Sequence, residues 1–76
     1  MRIIRRIGER QLTKECMNTA GCPDILELEN GDFAVIGRDI TAEASLPSWA
    51  NCGNGERIIC IPRELLVKAR NDIPNQ

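Results

Sequence analysis

Residues 25 to 38, ILELENGDFAVIGR, set two runs of β-favouring residues on either side of Asn30-Gly31. This dipeptide suits a type I′ hairpin turn, because both residues tolerate positive φ. The pattern commits the middle of the chain to an antiparallel hairpin. A two-residue loop sets Glu29 opposite Asp32, and like charges facing each other across a ladder are unfavourable. A three-residue loop, Asn30 to Asp32, avoids that clash. In either register Leu26 and Leu28 share one face, and Glu27 and Glu29 share the other.

A second pattern lies in GERIICIPRELLVKAR, residues 55 to 70. Residues 57 to 62 predict a strand. Ile59 and Ile61 alternate with Ile58 and Cys60, so both faces are apolar and the strand is expected to be central and covered. Pro62 has no N–H to lose at the first helical position. A helix is then expected from about Arg63 to Arg70. Leu65, Leu66, Ala69 and Ile73 form its buried stripe, with Arg63, Lys68 and Arg70 facing water. Residues 2 to 7 read as a further strand stopped by Gly8. Residues 11 to 24 read as a loop with one helical turn near Lys14 to Met17. In the connection 39 to 56, Asp39 or Thr41 is suited to cap a short turn over Ala42, Glu43 and Ala44, and Pro47 ends it.

The expected fold is α+β: one small domain, residues 1 to 76, with an antiparallel sheet of three or four strands and the C-terminal helix packed on a face. Phe33 and Trp49 are the only aromatic residues, so the core must be aliphatic. The expected core is Leu26, Leu28, Phe33, Val35, Ile59, Ile61, Leu65, Leu66 and Ala69. A chain this short buries only about 60% of the surface its unfolded form exposes. A homodimer or a protein partner is therefore expected, with strand edges and the Trp49 loop as contact surfaces and Glu27 and Glu29 on the acidic hairpin as further contacts. For Trp49 itself the favoured reading is that it plugs the core of its own domain, since a lone tryptophan in a small protein is often its main packing residue.

Charge is uneven along the chain although the net value is −1. The first fifteen residues are basic, residues 16 to 56 carry seven acidic side chains against Arg38 alone, and the remainder is basic again. A total this close to neutral gives no argument for nonspecific nucleic-acid binding. Arginines interrupt the opening apolar run after two residues, so no membrane segment is expected there and a cytoplasmic setting is the default. Four cysteines in that setting should be mostly reduced.

Those cysteines are Cys16, Cys22, Cys52 and Cys60. Structural zinc sites favour pairs two to four residues apart, and these pairs are wider. A site using all four remains a minor reading. Cys60, inside an apolar strand, is expected to be a small buried hydrophobe. A disulfide between loop cysteines is a further option, Cys22 with Cys52 being the preferred pair. The chain has no histidine and no tyrosine, and no Gly-rich phosphate loop opens its helix. An enzyme is not expected, nor a cofactor.

Two resemblances add to this reading. ERIICIPRELLVKAR resembles the strand–proline–helix signature of AbrB-like swapped-hairpin transcription factors, with Ile59, Ile61, Glu64 and Leu65 in the matching positions about Pro62. In that family the element lies near the N-terminus with a hairpin after it, whereas here the hairpin comes first. CPDILELENGDFAVIGRDIT followed by ERIICIPRELLVKAR resembles small actinobacterial proteins encoded beside helix-turn-helix regulators. The residues that carry this second likeness are Cys22, Asn30-Gly31, Arg38-Asp39, and Pro62 onward. It implies a regulatory partner role and no reaction.

Three functions follow as expectations. The first is a protein-interaction module acting with a transcription regulator. The second is a small DNA-binding protein using Arg57, Arg63, Lys68 and Arg70. The third is a thiol-based sensor or zinc site.

Overall fold

The computed structural model describes residues 1–8 and 21–75. Strand β1 (Ile3–Arg6), β2 (Asp24–Leu28) and β3 (Phe33–Ile36) form an antiparallel sheet in the order β1-β2-β3. β4 (Arg38–Asp39) and β5 (Ile59–Cys60) form a separate two-stranded ladder. Helix α1 (Arg63–Ala69) follows and tightens into a 3-10 turn over Arg70–Asp72. The α+β architecture is the one expected. The helical turn expected near Lys14 to Met17 lies outside the described residues.

The hairpin forms where the sequence puts it, with a different turn. Leu28 N–H donates to the Asp32 carbonyl at 2.9 Å, and Gly31 N–H to that of Leu28 at 3.0 Å. The loop is therefore Glu29-Asn30-Gly31, one residue earlier than the three-residue loop anticipated. Only Gly31 takes positive φ, at 95°, which is the three-residue hairpin with its bulge glycine rather than a type I′ turn. Asn30 serves through its side chain instead: its Oδ1 accepts the Asp32 N–H at 2.9 Å.

Register fixes the faces. Arg5 pairs with Glu27, which pairs with Phe33, and Ile25 pairs with Val35. Ile7 N–H donates to the Ile25 carbonyl at 2.8 Å, extending that row beyond β1. Residues directly opposite share a face, so Arg5, Ile7, Ile25, Glu27, Phe33 and Val35 lie together. The other face carries Ile3, Arg6, Asp24, Leu26, Leu28, Ala34 and Ile36. A register shift between Ile3 and Arg5 makes Ile4 a bulge, so Ile3 joins Leu28 while Arg5 joins Glu27.

The helix packs on the Ile25 face. Among the described residues the buried core is Ile7, Ile25, Leu65 and Ala69, with Ile61 against it. This corrects the expected core. Leu26 and Leu28 sit on the opposite face and are half-buried, while Phe33, Val35, Ile59 and Leu66 are exposed. The Glu27 face can be the covered one because Arg5 lies opposite and neutralises it, Nε to Oε1 at 2.9 Å. Leu65 and Ala69, four residues apart, make the single inward line of a two-turn helix. Leu66 lies off that line, and Ile73 follows the helical turns in extended backbone.

Two further expectations change. The strand over 57 to 62 shrinks to Ile59–Cys60, and both its residues are exposed, so it is neither central nor covered. Among the described residues its partner is the two-residue β4. Pro62 is the N-cap, with extended ψ of 144°, rather than the first helical residue.

Candidate protein-interaction surface

The segment between β4 and β5 is irregular but internally held. The Asp39 carboxylate accepts from the Thr41 N–H at 2.9 Å and from its hydroxyl at 2.6 Å. The Ile40 carbonyl accepts from Glu43 and Ala44 N–H, so Asp39 caps the short turn. Thr41 Oγ1 in turn accepts the Ile58 N–H at 2.9 Å, tying both ends of the segment together. The Thr41 hydrogen bonds, its hydroxyl first and then its N–H, with Arg57 nearby, hold the Asp39 carboxyl below the usual range. Further on, Glu56 Oε1 accepts the Gly53 N–H at 2.9 Å, and the Cys52 thiol donates to the Glu56 carbonyl at 3.3 Å.

These ties shape an open recess of about 380 Å³ lined by Leu46, Ala50, Asn51, Cys52, Glu56, Arg57 and Ile58. Trp49 stands in the turn closed by Ala50 N–H to the Pro47 carbonyl. It is 83% exposed, so it does not plug the core of its own domain. Leu46, also exposed, lines the recess three residues before it. A large aromatic in water beside a recess that mixes apolar Leu46, Ala50 and Ile58 with polar Asn51, Glu56 and Arg57 has the make-up of a protein contact.

The acidic hairpin residues are elsewhere. None of the residues lining the recess comes from the hairpin. Glu27 is mostly covered and engaged by Arg5. Glu29 is exposed, and its Oε1 accepts the Arg2 backbone N–H at 3.2 Å. The structure thus does not bring Glu27 and Glu29 together with Trp49. Leu46 was missing from the sequence reading because it belongs to no periodic run, and Ile58 was read there as one face of a covered strand, not as part of a recess.

The basic residues do not converge. Arg63 and Arg70, two turns apart, share a helix face, while Lys68 lies about 140° around from Arg63 at 100° per residue. Arg57 stands outside the helix, 3.9 Å from Asp39. Of the N-terminal arginines, Arg5 joins Glu27 and Asp72, and Arg6 clasps Asp24.

The cysteines also separate. Cys22 is disulfide-bonded, whereas Cys52 and Cys60 are free thiols. The Cys22–Cys52 pair is therefore not formed, and a zinc site using all four thiolates would need the Cys22 bond reduced. Cys60 is exposed, not the buried hydrophobe expected, because its strand has nothing packed over it. Among the described residues no cluster of metal-binding side chains occurs, and no helix is long and apolar enough to cross a membrane.

Compared with known proteins, the chain matches no family model, no curated protein and no solved structure.

Proposed function

We propose that this protein is an interaction module that docks a protein partner through the Trp49 loop, acting with a transcription regulator in the cytoplasm. One observation carries the reading: the sole tryptophan, Trp49, is 83% exposed, and exposed Leu46, three residues before it, lines the recess. Aromatic anchors set against pockets dominate binding energy in such contacts. The role is binding, with no reaction attached.

The test uses the sole tryptophan as its own reporter. The full chain is titrated with a helix-turn-helix transcription regulator from its own genome, and Trp49 emission is followed. A blue shift that saturates is the expected result, with binding lost in Trp49→Ala when it is read by calorimetry, since that variant has no tryptophan. Binding that is unaffected by Trp49→Ala removes the Trp49 loop as the contact. No binding removes the regulator as the partner.

A further inference from the structure

The ladder parity of β3 leaves one of its edges open. Leu28 N–H bonds to Asp32, so the residues of β3 whose backbone groups point at β2 are Ala34 and Ile36, and those pointing away are Phe33 and Val35. β3 ends the sheet order. Among the described residues nothing is bonded to the outward N–H and C=O of Phe33 and Val35. The strand is uncharged, FAVI, and three of its side chains are exposed: Phe33 by 38%, Val35 by 44% and Ile36 by 47%. The other edge of the sheet differs. β1 carries Arg5 and Arg6, and charged side chains are the usual guard against edge pairing. Two copies of β1 side by side would bring arginines together.

We propose that the β3 edges of two copies of this chain pair antiparallel, about a two-fold axis through Ala34, to make one six-stranded sheet. In this register Phe33 faces Val35 of the second copy, and Val35 faces its Phe33. Both pairs consist of residues with outward backbone groups, so each exchanges two N–H···O bonds. The same pairs set an aromatic against a β-branched side chain on one face, a favourable cross-strand match. The arrangement is isologous and closes, so it yields a dimer and not a filament. Charge selects the direction. Asp32 precedes the strand and Arg38 follows it, so antiparallel pairing brings the acidic end of one copy to the basic end of the other. The inference uses a different surface from the Trp49 loop.

Sedimentation and amide hydrogen exchange of the full chain test it together. Mass should rise with concentration from 8.5 kDa towards twice that value. The amides of Phe33 and Val35 should gain protection in step with the mass, while Ala34 and Ile36 are protected at every concentration. Val35→Pro removes an outward N–H and no bond to β2, and should weaken the dimer at least about tenfold, since the two-fold removes two bonds. If circular dichroism shows that Val35→Pro does not fold, Phe33→Lys replaces it with the same expected loss. Trp49→Ala should leave the dimer unchanged, which separates this proposal from the docking reading. A mass fixed at 8.5 kDa up to millimolar concentration overturns the proposal. So does a dimer in which the Phe33 and Val35 amides exchange freely, or one that folded Val35→Pro or Phe33→Lys leaves intact. Protection that appears only when another protein is added overturns the second copy as the occupant.

Discussion

Gly37 and Leu65 show how little tolerance a small core has. A Cβ built on Gly37 would lie 2.6 Å from the Cys60 carbonyl oxygen and 2.6 Å from an Ile59 methyl. The chain passes from one sheet to the other at this residue, pressed against the β5 backbone. Gly37→Ala should therefore destabilise by about 1–3 kcal/mol, as overpacking does, read as a lowered urea midpoint. Leu65 is 1% exposed and is one of two large side chains fully buried among the described residues. Leu65→Ala should cost about 2–5 kcal/mol, a large fraction of the stability available to a domain of this size. Gly37 was not legible in the sequence, where it reads as one more residue after a strand. Its steric role comes from β5, more than twenty residues away. Leu65 was legible, because position and spacing in a short amphipathic helix are local properties.

At the scale of elements, one acidic residue joins the end of the chain to its beginning. Asp72 Oδ2 accepts the Gly8 N–H at 2.8 Å and the Arg5 guanidinium at 3.2 Å, and Arg5 also donates to the Asp72 carbonyl. The Gly8 N–H above all, with Arg5 second, holds the Asp72 carboxyl below the usual range. A carboxyl with a lowered folded-state pKa stabilises the fold above its unfolded pKa, about 3.9, and that contribution is lost as pH falls through the lowered value. Acid unfolding below about pH 4 should therefore contain a component that Asp72→Asn removes, giving a flatter stability–pH profile in that range. Helix α1 was legible in its bounds to within a residue, since Pro62 and the Leu65–Ala69 spacing are local signals. The clamp was not, because Asp72 and Arg5 stand at opposite ends of the sequence. β5 was misread for a related reason. An apolar run such as RIICI fits a central strand, but whether a strand is central depends on which neighbours arrive beside it.

For the molecule as a whole, the balance between core and surface decides what the protein is suited to do. Among the described residues the core is four buried apolar side chains. Trp49 contributes nothing to that core. Trp49→Ala should change folding stability by no more than about 0.5 kcal/mol, as exposed positions do, and the wild-type emission should be that of an indole in water. A blue-shifted emission from the isolated chain, or a large loss of stability in the variant, would contradict the exposed placement.

By itself the sequence determined the class of fold, the hairpin about Asn30-Gly31 and the helix after Pro62. These follow from turn chemistry, proline geometry and residue spacing, all of which act within a few positions along the chain. Only the tertiary structure decided which sheet face the helix covers, that Trp49 stands in water, and that β3 rather than β1 is the unguarded edge. The first of these depends on Arg5 meeting both Glu27 and Asp72. Such an encounter between distant residues is set by where the folded chain brings them, and no local pattern encodes it.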